Sequence, residues 1–189
     1  MISRPLLIID GKAPDFVPVY PLPGRDRDER PLYVLERTVL RKTPHGWQLI
    51  PRGYVTDFAS IPGLATIISC FRLQPLGPWA WDALSHDFGY AVGEPGYRPV
   101  YDDIFRQLMA VDRVGSVART VMYGAVHLFG QGGYDAAPSW WSSENFADPD
   151  TGEYPVKPPF AREDAFIGGR FGLRAQPDWP DLAGLGIAA

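Results

Sequence analysis

The sequence contains a single cysteine, Cys70, among 189 residues. One thiol can form neither an internal disulfide framework nor a cysteine-rich zinc site. The chain also has no excess of basic residues, since 18 Lys and Arg stand against 22 Asp and Glu, and its net charge is −4. Nucleic-acid-binding domains carry a basic patch or stripe, so we expect no nucleic-acid partner.

Long hydrophobic runs are missing as well. The apolar run at residues 5–9 ends at Asp10 and is too short for the hydrophobic region of a signal peptide. No stretch approaches the roughly 20 apolar residues that span a bilayer. We therefore predict neither a signal peptide nor a transmembrane segment.

The residues that are present indicate one globular domain with an extended appendage. Hydrophobic residues make up 46% of the chain and aromatic residues 13%, which is enough for a substantial core. Twenty prolines and twenty glycines indicate that much of the backbone lies in loops, turns and extended segments. We predict an α+β domain over residues 1–130 and a C-terminal arm over residues 131–189.

Within the domain, residues 1–56 have the patterns of β-structure. Residues 33–41 partly alternate, residues 42–46 supply a turn, and residues 47–50 begin a return strand, which predicts a hairpin. Three helices follow, over about 79–90, over 101–111, and from Ser116 to Gly130. We expect the third helix to carry its apolar residues on one side: Val117, Val121, Ala125 and Leu128.

The arm is rich in proline and aromatic residues and shows no long periodic element. A disordered tail rarely contains so many large aromatic side chains. We therefore favour an extended arm that packs on this domain or on a neighbouring subunit, with Trp140 and Trp141 as its anchor.

The strongest chemical signal is the motif HDFGY at residues 86–90, followed by DDIF at residues 102–105. If both lie on helices, Tyr90 is one turn beyond His86 and on the same face. A Gly/Pro-rich turn separates the two helices, so we expect them to be antiparallel neighbours. Asp103 would then orient His86 as a general base, and Asp87 could bind a hard cation such as calcium.

A second signal, YVTDFASIP at residues 54–62, lies upstream of the HDFGY motif. Asp57 could supply a further carboxylate to the same site, and Ser60 is expected to fix the loop through its hydroxyl. A His-Asp pair on a helix can instead be purely structural, because a buried network of this kind also locks two helices together.

The order of these motifs, with PLGPW between them and a Tyr-containing helix ending in Phe-Gly, resembles a family of small phage and prophage proteins. The family is known as domain of unknown function number 1353, and the resemblance covers about residues 30–130. It implies a viral or prophage origin, a location in the virion or the host cytoplasm, and other virion or phage structural proteins as partners. It leaves the activity open.

The order of TD-x-x-S-x-P, HDFGY and DD-x-F is also similar, more distantly, to the bacterial and fungal branch of the secretory phospholipases of the A-two class. That resemblance implies that His86 activates water, Asp103 orients His86, and Asp57 and Asp87 hold calcium. It also implies that the substrate is a phospholipid ester. We expect Tyr90 and Ser60 to support the site through the helix face and the loop described above.

Two hypotheses follow from the sequence. The first is a virion-associated, calcium-assisted ester hydrolase with a phospholipase-like His-Asp site. The second is a purely structural virion component, such as a tail-tip, connector or decoration protein, whose His-Asp network only holds the fold together.

Overall fold

The computed structural model describes residues 6–8, 17–27, 30–58, 77–166 and 172–174. The predictions for Ser60 and Cys70 lie outside these residues. Within them the fold is α+β, as predicted, with six strands before the helices, which begin after residue 79, and one short strand after them. The strands are β1 (Leu6–Ile8), β2 (Val19–Arg27), β3 (Arg30–Leu35), β4 (Val39–Thr43), β5 (Gly46–Ile50), β6 (Val55–Thr56) and β7 (Gly172–Arg174).

The described strands form two small sheets, with the orders β1-β4-β5-β7 and β2-β3-β6. The predicted hairpin is present as β4 and β5, which pair antiparallel from Val39 with Ile50 to Thr43 with Gly46. Its first strand was predicted too long, however. Residues 33–35 belong to β3 in the other sheet, because the chain leaves the β2-β3-β6 sheet after Leu35 and enters the β1-β4-β5-β7 sheet at Val39.

The three predicted helices are α1 (Ala80–Val92), α2 (Arg98–Val111) and α3 (Ser116–Phe129). Helix α2 begins three residues before the predicted start at residue 101 and includes Pro99. This proline lies in the first turn of α2, where proline loses no helical hydrogen bond. Two short helices follow, α4 (Gln131–Asp135) and α5 (Ala137–Trp140). None of the helices in the described part of the chain is long and apolar enough to cross a membrane.

Helix α1 is the centre of the fold, because all thirteen of its residues are buried. It packs against α2 on one side and contacts β5 and the short helices α4 and α5 on others. Apolar burial drives this packing, but α1 also carries four buried polar or charged side chains: Asp82, Ser85, His86 and Asp87. Each of these groups requires partners inside the protein.

A buried ion-pair cluster connects α1 to the hairpin. Arg41 of β4 is 1% exposed and lies 3.0 Å from Oδ1 of Asp82 and 2.8 Å from Oδ2 of Asp112, which follows α2. Burial raises the pKa of Asp82 well above its usual range, while the charge of Arg41 lowers it and that of Asp112 raises it again. One guanidinium thus joins a strand to the beginning of α1 and the end of α2.

The described part of the arm packs on the domain. The ring of Trp141 lies 6.1 Å from that of Phe88 in α1 and 5.2 Å from that of Phe160, and Trp140 stacks at 6.5 Å on Tyr90. Arg162 donates hydrogen bonds to the carbonyl oxygens of Val92 and Gly93 at the end of α1. These contacts agree with the expected anchoring role of Trp140 and Trp141.

The Arg41 cluster gives a stability prediction. Removal of the guanidinium in Arg41→Ala leaves two buried carboxylates without their cation, so we expect a loss of about 3–5 kcal/mol in the free energy of unfolding, measured by urea denaturation. Arg52→Ala is the matched control, because Arg52 pairs with Asp150 at the exposed surface, and it should cost less than about 1 kcal/mol. Equal losses in the two variants would contradict this role for Arg41.

Candidate functional site

The candidate site lies between α1 and α2, where His86 and Tyr90 are one helical turn apart on the same face of α1. Gly89 allows the close approach of the two helices. A Cβ atom at this position would collide with the ring of Tyr101 in α2. The packing of the two helices therefore requires a glycine at this position of HDFGY. The close approach brings side chains of α2 within hydrogen-bonding distance of His86.

The carboxylate that meets His86 is Asp102. Nε2 of His86 lies 3.2 Å from Oδ1 of Asp102, and the hydroxyl of Tyr90 donates to the same oxygen at 2.6 Å. Arg98, one turn earlier on α2, lies 3.5 Å from the other carboxylate oxygen. The imidazole ring packs against the rings of Tyr90 and Phe105, with centroids at 4.1 and 5.0 Å. His86 itself is only 2% exposed.

The predicted pairing of His86 with Asp103 is wrong by one residue. Asp103 lies on the outer face of α2, where Oδ2 is 2.7 Å from Nε2 of His45 in the β4–β5 turn. Arg106 and Gln107 also donate to its carboxylate. The physical reason is helical periodicity: Asp102 shares the buried face with Phe105, whereas Asp103 shares the exposed face with Arg106.

On the other side of His86, the structure places Asp87 against β6. Oδ2 of Asp87 accepts a hydrogen bond from the hydroxyl of Thr56 at 2.8 Å, and its Oδ1 lies 3.9 Å from Nδ1 of His86. Asp57, buried at 2% exposure, is the next residue after Thr56. The structure thus brings Thr56 of the TD motif to the side of α1 that carries Asp87, and a shared site that includes Asp57 stays a prediction.

The backbone after Asp57 has an unusual conformation. Phe58 has φ of 55°, in the left-handed region that a side chain with a Cβ atom rarely adopts. Its amide donates to the hydroxyl of Thr56 at 3.0 Å, and its ring packs at 5.5 Å on Tyr33. Because Phe58 is 1% exposed, burial of the ring offsets the backbone cost and fixes the turn beside the site.

The donor set does not by itself define a calcium site. Asp87 already accepts a hydrogen bond from Thr56, and calcium usually takes six to eight oxygen ligands. Across the described ranges, no group of three or more His, Cys, Asp and Glu side chains is placed to hold a metal ion. Calcium binding by Asp57 and Asp87 therefore stays a prediction.

The surroundings of His86 and Asp102 shift the pKa of each group in the direction that favours its charged form. Burial lowers the pKa of His86, but its hydrogen bond with Asp102 and the nearby charges of Asp102 and Asp87 outweigh this effect and leave the pKa raised. Burial raises the pKa of Asp102, but hydrogen bonds from His86 and Tyr90 outweigh it and leave the pKa lowered. A histidine with these properties can hold a proton firmly at the site.

Our sequence reasoning missed Asp102 and Thr56 as site residues. Asp102 could have been found from the apolar spacing of α2, because it lies three residues before Phe105 and seven before Met109. Thr56 had no comparable signal, since its contact with Asp87 depends on how β6 meets α1.

Comparison with known proteins places the chain in a family. The family described as "Protein of unknown function (DUF1353)" matches residues 33–126, which include the hairpin, α1, α2 and most of α3. The chain belongs to this family. No curated protein and no solved structure matches the chain.

The adjacent carboxylates of α2 allow a matched test of the site. Asp102→Asn removes the charge that faces His86 inside the protein, so we expect the free energy of unfolding to fall by about 3–5 kcal/mol. Asp103→Asn alters an ion pair whose side chains are 37% and 25% exposed, and it should cost less than about 1 kcal/mol. A larger loss in Asp103→Asn would show that our assignment of the two carboxylates is reversed.

The raised pKa of His86 also predicts how stability depends on pH. Because the pKa is higher in the folded than in the unfolded protein, the stabilisation is complete below the unfolded value of about 6.5 and is lost as pH rises through the folded value. We expect this alkaline loss in urea denaturation series from pH 6 upward, and we expect it to shrink in His86→Gln. If the free energy of unfolding of His86→Gln depends on pH as strongly as that of the wild type, another group causes the effect. His45→Gln serves as the control.

Proposed function

We propose that the protein is a phage- or prophage-encoded, virion-associated ester hydrolase that acts on phospholipid, with His86 as general base and Asp102 as the carboxylate that orients it. The observation that carries the proposal is the 3.2 Å contact between Nε2 of His86 and Oδ1 of Asp102. A histidine held by a carboxylate in this way has one ring nitrogen fixed and the other available for proton transfer.

The chemistry follows from the two ring nitrogens. When Nε2 carries a proton and donates a hydrogen bond to Asp102, the lone pair of Nδ1 can accept a proton from water. The water oxygen then attacks the carbonyl carbon of the ester, and Asp102 stabilises the imidazolium that forms. Nδ1 returns the proton to the leaving alcohol as the ester bond breaks, which restores the neutral ring.

Tyr90 supports this arrangement from the same helix. Its hydroxyl donates to the carboxylate oxygen that faces His86, so Asp102 has little freedom to rotate away. Because His86 acts as a base only after it loses its proton, its raised pKa implies a rate that increases with pH above the usual histidine value. The phospholipid substrate and the phage setting rest on the two sequence resemblances.

A second candidate function has its own supporting observation. His86 is 2% exposed, so a substrate could reach Nδ1 only after neighbouring chain segments move. A sealed network is what a structural virion component needs, because it would lock α1 to α2 without any reaction. This candidate predicts that the protein is present in purified phage particles in a fixed ratio to other structural proteins.

Release of fatty acid from mixed phospholipid vesicles distinguishes the two candidates. In the hydrolase, His86→Gln should reduce the rate by about a hundred- to ten-thousand-fold, because a general base is lost. His45→Gln should retain the wild-type rate, since His45 lies outside the site and pairs with Asp103.

The assay is run with added calcium and with a chelator, which tests the predicted role of Asp57 and Asp87 directly. Circular dichroism of each variant separates lost chemistry from lost folding. Wild-type protein that releases no fatty acid under either condition would overturn the hydrolase proposal and favour the structural one.

A further inference from the structure

A cavity lined by two arginines lies where α1 ends and α2 begins. Its volume is about 460 Å³, which is in the range of sites that bind small molecules. The loop after α1, the helices α2, α4 and α5, and the arm all contribute to its wall, and every lining residue belongs to the described ranges. We call this cavity the arginine pocket, and its lining includes Gly93, Gly96, Arg98, Gln131, Ala137 and Arg162.

Arg98 is held at the pocket by the end of α3. Its Nη2 donates to the carbonyl oxygens of Val126, at 3.2 Å, and of His127. Its Nη1 donates to Oε1 of Gln131 at 3.1 Å. Arginine has five N–H donors in a fixed plane, so these hydrogen bonds orient the guanidinium and still leave donors for a further acceptor.

Arg162 reaches the pocket from the arm and is half-buried. Its Nε and Nη2 donate to the carbonyl oxygens of Val92 and Gly93, at 2.8 and 2.9 Å, so it caps the C-terminal end of α1. Its guanidinium carbon also lies 5.4 Å from the centroid of the Phe166 ring. Within the described ranges, however, Arg162 forms no ion pair with a carboxylate. A charge that is partly withdrawn from water is stabilised by a partner of opposite sign, and the pocket has the space for one.

The charges around the pocket favour an anion as its ligand. Arg98 and Arg162 each carry a full positive charge, and the only carboxylate among the lining residues is that of Asp135, at the exposed edge. Asp102 lies 3.5 Å from Arg98, but it is shared with His86 on its other side. The N-terminal end of α2, which has no side-chain cap, adds the partial positive charge of the helix dipole.

The lining also has an apolar part, which consists of Pro95, Pro99, Ala137 and Pro138. These side chains can cover the carbon body of a ligand while the two guanidinium groups hold its charged end. Arginine binds both carboxylate and phosphate through paired N–H···O hydrogen bonds. A phosphate group has three strong acceptor oxygens to share between two arginines, so it fits this pair better than a carboxylate does.

We propose that the arginine pocket binds a phosphate group, carried by a small soluble compound or by a lipid headgroup, and that Arg98 and Arg162 hold it. Helix carbonyl oxygens fix both guanidinium groups before the phosphate arrives, so little side-chain freedom is lost on binding. Phosphate binding here requires no reaction at His86, so it can be tested independently of ester hydrolysis.

NMR titration of the ¹⁵N-labelled full chain with inorganic phosphate tests the site directly. The Nε–H signals of Arg98 and Arg162 and the amide signals of the lining glycines should shift together and reach saturation. Arg162→Gln should weaken phosphate binding by about tenfold or more, because a charge-assisted contact is lost while glutamine can still donate to the end of α1. Arg52→Gln is the matched control, because it removes the same charge beside Asp150 at the exposed surface, and it should leave binding unchanged.

A second variant should strengthen binding, which a loss of folding cannot imitate. Asp135→Asn removes the carboxylate from the pocket but keeps an oxygen that can accept from Gln131, so phosphate should bind about threefold more tightly. Asp26→Asn makes the same charge change at an exposed position of β2, outside the pocket, and should leave the affinity unchanged.

Phosphatidylcholine vesicles with and without phosphatidic acid separate the two sources of the phosphate. Binding that requires phosphatidic acid and that Arg162→Gln abolishes identifies a lipid headgroup. Saturable shifts with inorganic phosphate and no binding to either vesicle identify a small soluble phosphate compound. If neither inorganic phosphate nor phosphatidic acid binds in a way that depends on Arg162, the proposal is overturned and both arginines serve only as helix caps.

Discussion

The structure depends on one constraint, which is that α1 is buried on every side and yet carries polar groups. A helix in this position is usually apolar all round. Here the elements around it supply partners one by one: Arg41 of β4 meets Asp82, Gln48 of β5 donates to the carbonyl oxygen of Ser85, and Thr56 of β6 donates to Asp87. From the opposite side, Asp102 of α2 meets His86. These polar contacts of α1 thus fix the positions of the two sheets and of α2 around it.

The polar contacts of α1 differ in what they can do. The Arg41 cluster contains a permanent cation and two carboxylates, and its charges hold a strand and two helices together. The His86–Asp102 pair adds histidine, the side chain whose ordinary pKa lies closest to neutral pH. Its two ring nitrogens also face different partners, at 3.2 Å from Asp102 and 3.9 Å from Asp87. The weaker of these contacts is the one that a reacting water could replace.

Much of the fold could be predicted from the sequence, because local patterns determine it. The hairpin, the three helices and the packed arm all follow from alternation, helical spacing and aromatic content. The site was predicted less well. Spacing between motifs identified His86 and Tyr90, but the choice between Asp102 and Asp103 needed the buried face of α2, where Phe105 shows which carboxylate points inward. Arg41 and Thr56 contact α1 across 41 and 31 residues, and no local pattern reports such contacts.

The position of α3 follows from the same central helix. Once α1 takes the interior, α2 covers one of its sides, and α3 packs on the outside of α2 as a further layer. An outer helix needs only a narrow apolar stripe, and Met122, Ala125 and Val126 provide it. Val117 and Leu128 lie outside this stripe and are 67% and 71% exposed, so helical spacing alone could not show which of the apolar positions of α3 the fold buries.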